Sequence, residues 1–187
     1  MYRQTLAWGR KGIGMTAISA VDIAIWDALG KSAKKPVYSL LGGKTKDKLP
    51  CYASKLYSQP LDTLANEAKD YLDQGFKAMK LRFGWGPKDG AEGMTKNIEL
   101  IKTVRSVVGD NIDLMADVYM GWTFEYAKRM MRLIDNENLR WLEEPVIADD
   151  IDGYAELKAS CRTPISGGEH EYTLFGFRQL LEKKAVD

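Results

Sequence analysis

Asp113-Leu114-Met115-Ala116-Asp117, Arg140-Trp141-Leu142-Glu143-Glu144-Pro145 and Pro164-Ile165-Ser166-Gly167-Gly168-Glu169 are short apolar runs that each end on a carboxylate. The steps from Asp117 to Glu143 and from Glu143 to Glu169 are both 26 residues, enough for a strand, a loop and a helix. Each acid therefore holds the same place in its own βα unit. In an alternating βα chain the strands lie parallel, and the residues leaving their C-terminal ends converge on one face. Carboxylates gathered there raise one another's pKa unless a cation sits between them. A hard, oxygen-preferring ion such as Mg²⁺ removes that cost. Spacing alone leaves a second reading open, in which the acids are helix N-caps or solvated loop charges.

Around these runs the βα rhythm continues. Leu49 to Ala53 reads as a first strand and Leu61 to Gln74 as its helix, with Leu64, Ala68, Tyr71 and Leu72 on one stripe. Ala78 to Phe83 is a second strand, and Ile98 to Val108 lies in the second helix. Ile112 to Val118, Phe124 to Ile134, Leu139 to Leu142, Tyr154 to Ala159, Pro164 to Ser166 and Leu174 to Lys184 continue the alternation. Upstream, Ala17, Ala20, Val21, Ala24, Ile25 and Ala28 recur at helical spacing between a Thr16 cap and Gly30, and a shorter helical piece runs from Pro36 to Leu41. The expected organisation is a helical segment plus linker over 1–48, then βα units over 49–187. Five strands leave two open edges where a barrel of this kind closes with eight. The expectation is therefore an internal piece of a longer enzyme or a truncated product.

With 45% hydrophobic and 28% charged residues and a net charge of +1, the chain reads as an ordinary soluble protein with no surface for nucleic acid or anionic membrane. No apolar run looks long enough to span a bilayer, which points to a cytoplasmic protein. Cys51 and Cys161 read as buried, reduced thiols.

Leu114, Asp117, Ala127, Ile134 and Leu142-Glu143-Glu144-Pro145 resemble the second signature of the mandelate racemase and muconate lactonizing group of the enolase superfamily. Ala17, Ser19-Ala20-Val21-Asp22, Ala24, Asp27, Gly30-Lys31, Pro36-Val37 and Leu40-Leu41-Gly42 resemble its first. One departure is Tyr119, where the pattern usually has Asn or His. The resemblance implies an α/β chain forming part of a (β/α) TIM-type barrel, about five βα units, behind a helical remnant of the capping domain. It also implies an Mg²⁺ held by Asp117, Glu143 and Glu169, with Glu144 as the rival of Glu143.

In Lys80-Leu81-Arg82, alternation puts both cations on one side of the strand. The resemblance makes this the catalytic place where a Lys-x-Lys pair is common. Guanidinium is too weak an acid to act as a base at neutral pH, so Arg82 suits a substrate carboxylate or hydroxyl, and Lys80 suits a barrier-lowering charge or a partner of a metal ligand. Two solvated surface cations are the plain alternative. His170 suits substrate orientation, and Trp122 an apolar wall of the substrate site or a core ring. The Gly84–Gly90 run reads as a mobile loop at the mouth. The group's His–Asp dyad falls beyond Asp187.

The strand-end motifs are most similar to acid-sugar dehydratases of the rhamnonate type. That implies loss of water from a small aldonate, in a full-length form that is a homo-oligomer. Racemase or cycloisomerase chemistry, and an inactive metal-binding fragment or assembly partner, are the alternatives.

Overall fold

The computed structural model describes residues 1–187, which divide into two compact units. Met1–Pro50 and His170–Phe177 form the first, and Cys51–Glu169 and Arg178–Asp187 the second.

The first unit holds a 3-10 turn, Tyr2–Gln4, and the helices α1 (Ile13–Ala33) and α2 (Val37–Leu40). α1 begins after Gly12 rather than at Thr16. It ends at Lys34, whose left-handed backbone (φ 52°) turns its N–H back onto Gly30 and Lys31 carbonyls. Gly30 is thus inside the helix, and its lack of a side chain serves packing: a Cβ there lies 2.9 Å from the Lys35 carbonyl oxygen. Lys11 Nζ pairs with Glu171 at 2.8 Å.

Ile13, Val21, Ile23, Ile25 and Leu29 of α1 are exposed. By length and composition alone, with a mean hydropathy of 1.4, α1 is apolar enough to cross a membrane. This corrects the expectation from runs: Asp22 and Asp27 interrupt the sequence without lowering the average below a spanning helix. Core helices of soluble proteins meet the same test.

The second unit is built on a parallel sheet in the order β1 (Ala78–Arg82), β2 (Asp113–Asp117), β3 (Leu142–Glu143), β4 (Ile165–Ser166). Helices α3 (Leu61–Asp73), α4 (Gly90–Val108), α5 (Phe124–Ile134) and α6 (Ile151–Ser160) alternate with the strands, and α7 (Thr173–Glu182) follows β4. The expected first strand is reduced to one bridge residue, Ala53, paired with Met79. Pro50 has no N–H to give a ladder, and Leu56 turns to φ 33°, so the extended run is broken on both sides.

Alternation along the strands divides their side chains into two rows. Met79, Leu81, Leu114, Ala116, Leu142 and Ile165 join the apolar core with Leu64, Leu100, Ile101, Val104, Ala127, Met130 and Leu157 from the helices. α5 shows why it packs so: Tyr126, Ala127, Met130, Met131 and Ile134 are its buried residues, at helical spacing. The other row carries the polar side chains Lys80, Arg82, Asp117 and Glu143.

Candidate metal centre at the strand ends

Register sets the site. The last residues of the four strands pair in one line, Arg82 with Asp117, Asp117 with Glu143, and Glu143 with Ser166. All lie at C-terminal strand ends, where barrels of this type place their chemistry. Lys80 is one pleat earlier on the same row.

Lys80, Asp117 and Glu143 are 4%, 2% and 8% exposed. Lys80 Nζ lies 2.5 Å from Glu143 Oε1 and 3.1 Å from Asp117 Oδ2. Burial alone lowers the lysine's pKa, but its hydrogen bonds and charge contacts with Glu143 and Asp117 outweigh that and raise it above the ordinary value. Arg82 Nε approaches Asp117 Oδ2 at 3.4 Å. Its guanidinium carbon lies over the rings of Tyr57 and Tyr119, 5.2 and 5.4 Å from their centroids. The remaining carboxylate oxygens have protein donors: Tyr119 N–H reaches Asp117 Oδ1 at 3.0 Å, and Trp141 Nε1–H reaches Glu143 Oε2 at 2.9 Å. Burying ions is costly, several kcal/mol each, and only such complete pairing repays it.

Glu169 stands apart from this pair. It is exposed, three residues beyond β4, and its carboxylate lies within 4.8 Å of a carboxylate oxygen of Glu144. Glu144 is 1% exposed and has a left-handed backbone, φ 46°, which turns it away from the alternation of β3. Tyr119 and Met120 are left-handed as well (φ 52° and 59°). Three such residues beside one site are stored backbone strain. Tyr154 lies nearby: its hydroxyl donates to the Val146 carbonyl at 3.0 Å, and burial, then the Glu144 charge, pushes its pKa well up.

Three expectations change. Trp122 takes the core place of the two expected for it, 3% exposed, stacked on Phe83 at 5.2 Å with its Nε1–H on the Trp85 carbonyl. The Gly84–Gly90 segment is tethered rather than loose. Asn97 Oδ1 accepts from Gly84 and Trp85 N–H, Asn97 Nδ2 donates to Trp85 O, and Asp89 Oδ2 accepts from Gly86 N–H. His170 opens the 170–177 segment of the first unit and is partly buried. Cys51 is exposed rather than buried, and Cys161 is half-buried. Trp141 was legible in principle, since two residues before Glu143 on an extended run means the same face. Tyr57 comes from an irregular stretch that gives no such signal.

Asp117, Glu143 and Glu144 are buried carboxylates, and Glu169 lies beside Glu144. That set of hard oxygen donors fits Mg²⁺. Residues 63–187 match the enolase C-terminal domain-like family, and residues 1–42 the N-terminal domain of mandelate racemase and muconate lactonizing enzyme. L-rhamnonate dehydratase of Saccharopolyspora erythraea is 42% identical over all of this chain and 46% of its own length. The structure of 3,6-anhydro-D-galactonate cycloisomerase from Zobellia galactanivorans superposes with a TM-score of 0.90 at 36% identity, over 99% of this chain and 50% of that one. Rhamnonate dehydratase from Gibberella zeae, complexed with Mg, gives 0.86 at 36%, over 100% and 44%. The chain spans about half the length of the curated relative it matches. It belongs to the mandelate racemase and muconate lactonizing enzyme family of the enolase superfamily.

Proposed function

We propose that this chain carries the metal-binding part of an acid-sugar dehydratase site, with Asp117, Glu143 and Glu169 holding Mg²⁺ and Lys80 and Arg82 serving the substrate. The observation that carries this reading is the line of Arg82, Asp117 and Glu143 at adjacent strand ends. The likeness to L-rhamnonate dehydratase along the whole chain supports the substrate class. When bound, Mg²⁺ offsets the charge that grows on the substrate carboxylate as the proton on the neighbouring carbon leaves.

Lys80 spends its hydrogens on two carboxylates, so it acts as a positive charge rather than as a base. Arg82 turns Nε to Asp117 and keeps the rest of its fork for a substrate carboxylate or hydroxyl. Glu169, on an exposed loop, closes the ligand set by rotating its side chain, and Glu144 is the competing donor. Dehydration breaks the C2–H and C3–O bonds. The C3 hydroxyl leaves with a proton as water, and the enol becomes a 2-keto-3-deoxy acid. Cycloisomerisation is the second reading, favoured by the Zobellia enzyme, which is 36% identical, as the Gibberella dehydratase is.

Calorimetry of the chain with Mg²⁺, then with L-rhamnonate, tests the proposal. Mg²⁺ binding and aldonate binding that requires Mg²⁺ are expected, with product analysis separating loss of water from ring formation. Aldonate binding indifferent to Mg²⁺ overturns it.

A further inference from the structure

We propose that the Lys80 ammonium is a built-in counter-cation that competes with the divalent ion for Asp117 and Glu143, so that this side chain sets the metal affinity of the site. The inference rests on reading Asp117 and Glu143 as ligands and assigns Lys80 a positioning role toward them. Each carboxylate has one oxygen committed elsewhere, Asp117 Oδ1 to the Tyr119 N–H and Glu143 Oε2 to the Trp141 indole. The other two, Asp117 Oδ2 and Glu143 Oε1, both face Lys80 Nζ, at 3.1 and 2.5 Å. An Mg²⁺ ion binds oxygen at about 2.0–2.1 Å, so an ion shared by these two oxygens needs the space and the lone pairs that the ammonium holds.

Two charges drawn to the same pair of oxygens in a site this buried repel strongly. Lys80 has somewhere to go. The Tyr52 ring centroid lies 5.8 Å from Nζ, and an aromatic face accepts a displaced ammonium. In metal-free buffer the same lysine keeps Asp117 and Glu143 from repelling each other, and Mg²⁺ takes over that task when it binds.

The test is a ladder of side chains at position 80, with Mg²⁺ affinity measured by calorimetry and melting temperature measured in EDTA and in Mg²⁺. Lys80→Met removes the competitor: Mg²⁺ binds about tenfold more tightly, melting in EDTA falls, and Mg²⁺ restores it by a larger shift than in the unmodified chain. Lys80→Arg replaces the ammonium with a forked cation that grips both carboxylates: melting in EDTA is kept and Mg²⁺ binds more weakly. An affinity order Met, Lys, Arg supports the proposal. Equal affinities, or the reverse order, overturn it. If Lys80→Met does not fold in EDTA, refolding in Mg²⁺ supports the exchange of cations, and failure in both buffers counts against it, with the Arg variant still giving the sign. Absence of Mg²⁺ binding by the unmodified chain overturns the ligand reading as well, whereas binding that ignores position 80 overturns this inference alone.

Discussion

Asp117 and Glu143 pair in register as the last residues of neighbouring parallel strands, and both accept from the same buried ammonium. Replacing Glu143 by Gln keeps the shape and an acceptor for Lys80 while removing one of the two charges. Mg²⁺ affinity is expected to fall at least about tenfold, and folding stability by about 1–3 kcal/mol. Calorimetry and urea unfolding give the two numbers. Unchanged affinity transfers the ligand role to Glu144, and Glu144→Gln then shows the loss.

The parts legible in the sequence are those governed by short periods. Alternation puts Lys80 and Arg82 on one side of their strand, and the equal steps put Asp117 and Glu143 at equivalent strand ends. The same step places Glu169 there too, but it lies three residues past β4. α5 was readable at both ends because its apolar stripe is uninterrupted. α4 was not. Ile98 to Val108 reads as part of it but its start does not; it begins at Gly90, and the glycines hide its first turns. Gly93 is required there, since a Cβ meets Asp89 Cβ at 2.6 Å and Trp85 Cβ at 3.0 Å. The neighbourhood of Glu169 and Glu144 depends on a left-handed Glu144 and an exposed loop, which no spacing encodes. The contacts of Arg82 with the Tyr57 and Tyr119 rings depend on tertiary folding in the same way.

Asn97 is fully buried in α4 and satisfies two N–H groups and one carbonyl of the Gly84–Trp85 segment. Asn97→Ala leaves those groups unpaired beside the core, at an expected cost of about 1–3 kcal/mol. Amide exchange at Gly84 and Trp85 should speed up well beyond that of β1. Unaltered exchange there means that the Trp122 bond to Trp85 O and the Gly86 N–H bond to Asp89 hold the segment without Asn97.

Arg82 is gripped by two rings and one carboxylate. Arg82→Lys keeps the charge and a cation near the two rings but loses the planar fork, and stability should change by no more than about 1 kcal/mol. Aldonate affinity in Mg²⁺ should fall about tenfold, the worth of one charge-assisted hydrogen bond. A lysine that binds aldonate as well as arginine does removes the fork from the recognition scheme.

Cys161 and Cys51 should react very differently. Cys161 donates its Sγ–H to the Leu157 and Thr163 carbonyls at 3.1 and 3.3 Å. Burial, followed by the charges of Asp135 and Asp187, pushes its pKa up to about 11. Cys51 is exposed. At pH 8 a disulfide reagent should modify Cys51 promptly and Cys161 only on unfolding. The stability effect has a definite sign. A raised pKa means that the folded chain holds the thiol proton more tightly than the unfolded chain, so the contribution is complete below about pH 8.5. As the pH climbs toward 11 the unfolded chain ionises first, and that contribution is lost. Between pH 8 and pH 10.5 the unmodified chain should therefore lose about 1 kcal/mol more than Cys161→Ala, allowing for the partial exposure of the thiol. Urea midpoints at the two pH values give the difference, and equal losses in the two proteins remove Cys161 from the alkaline limb.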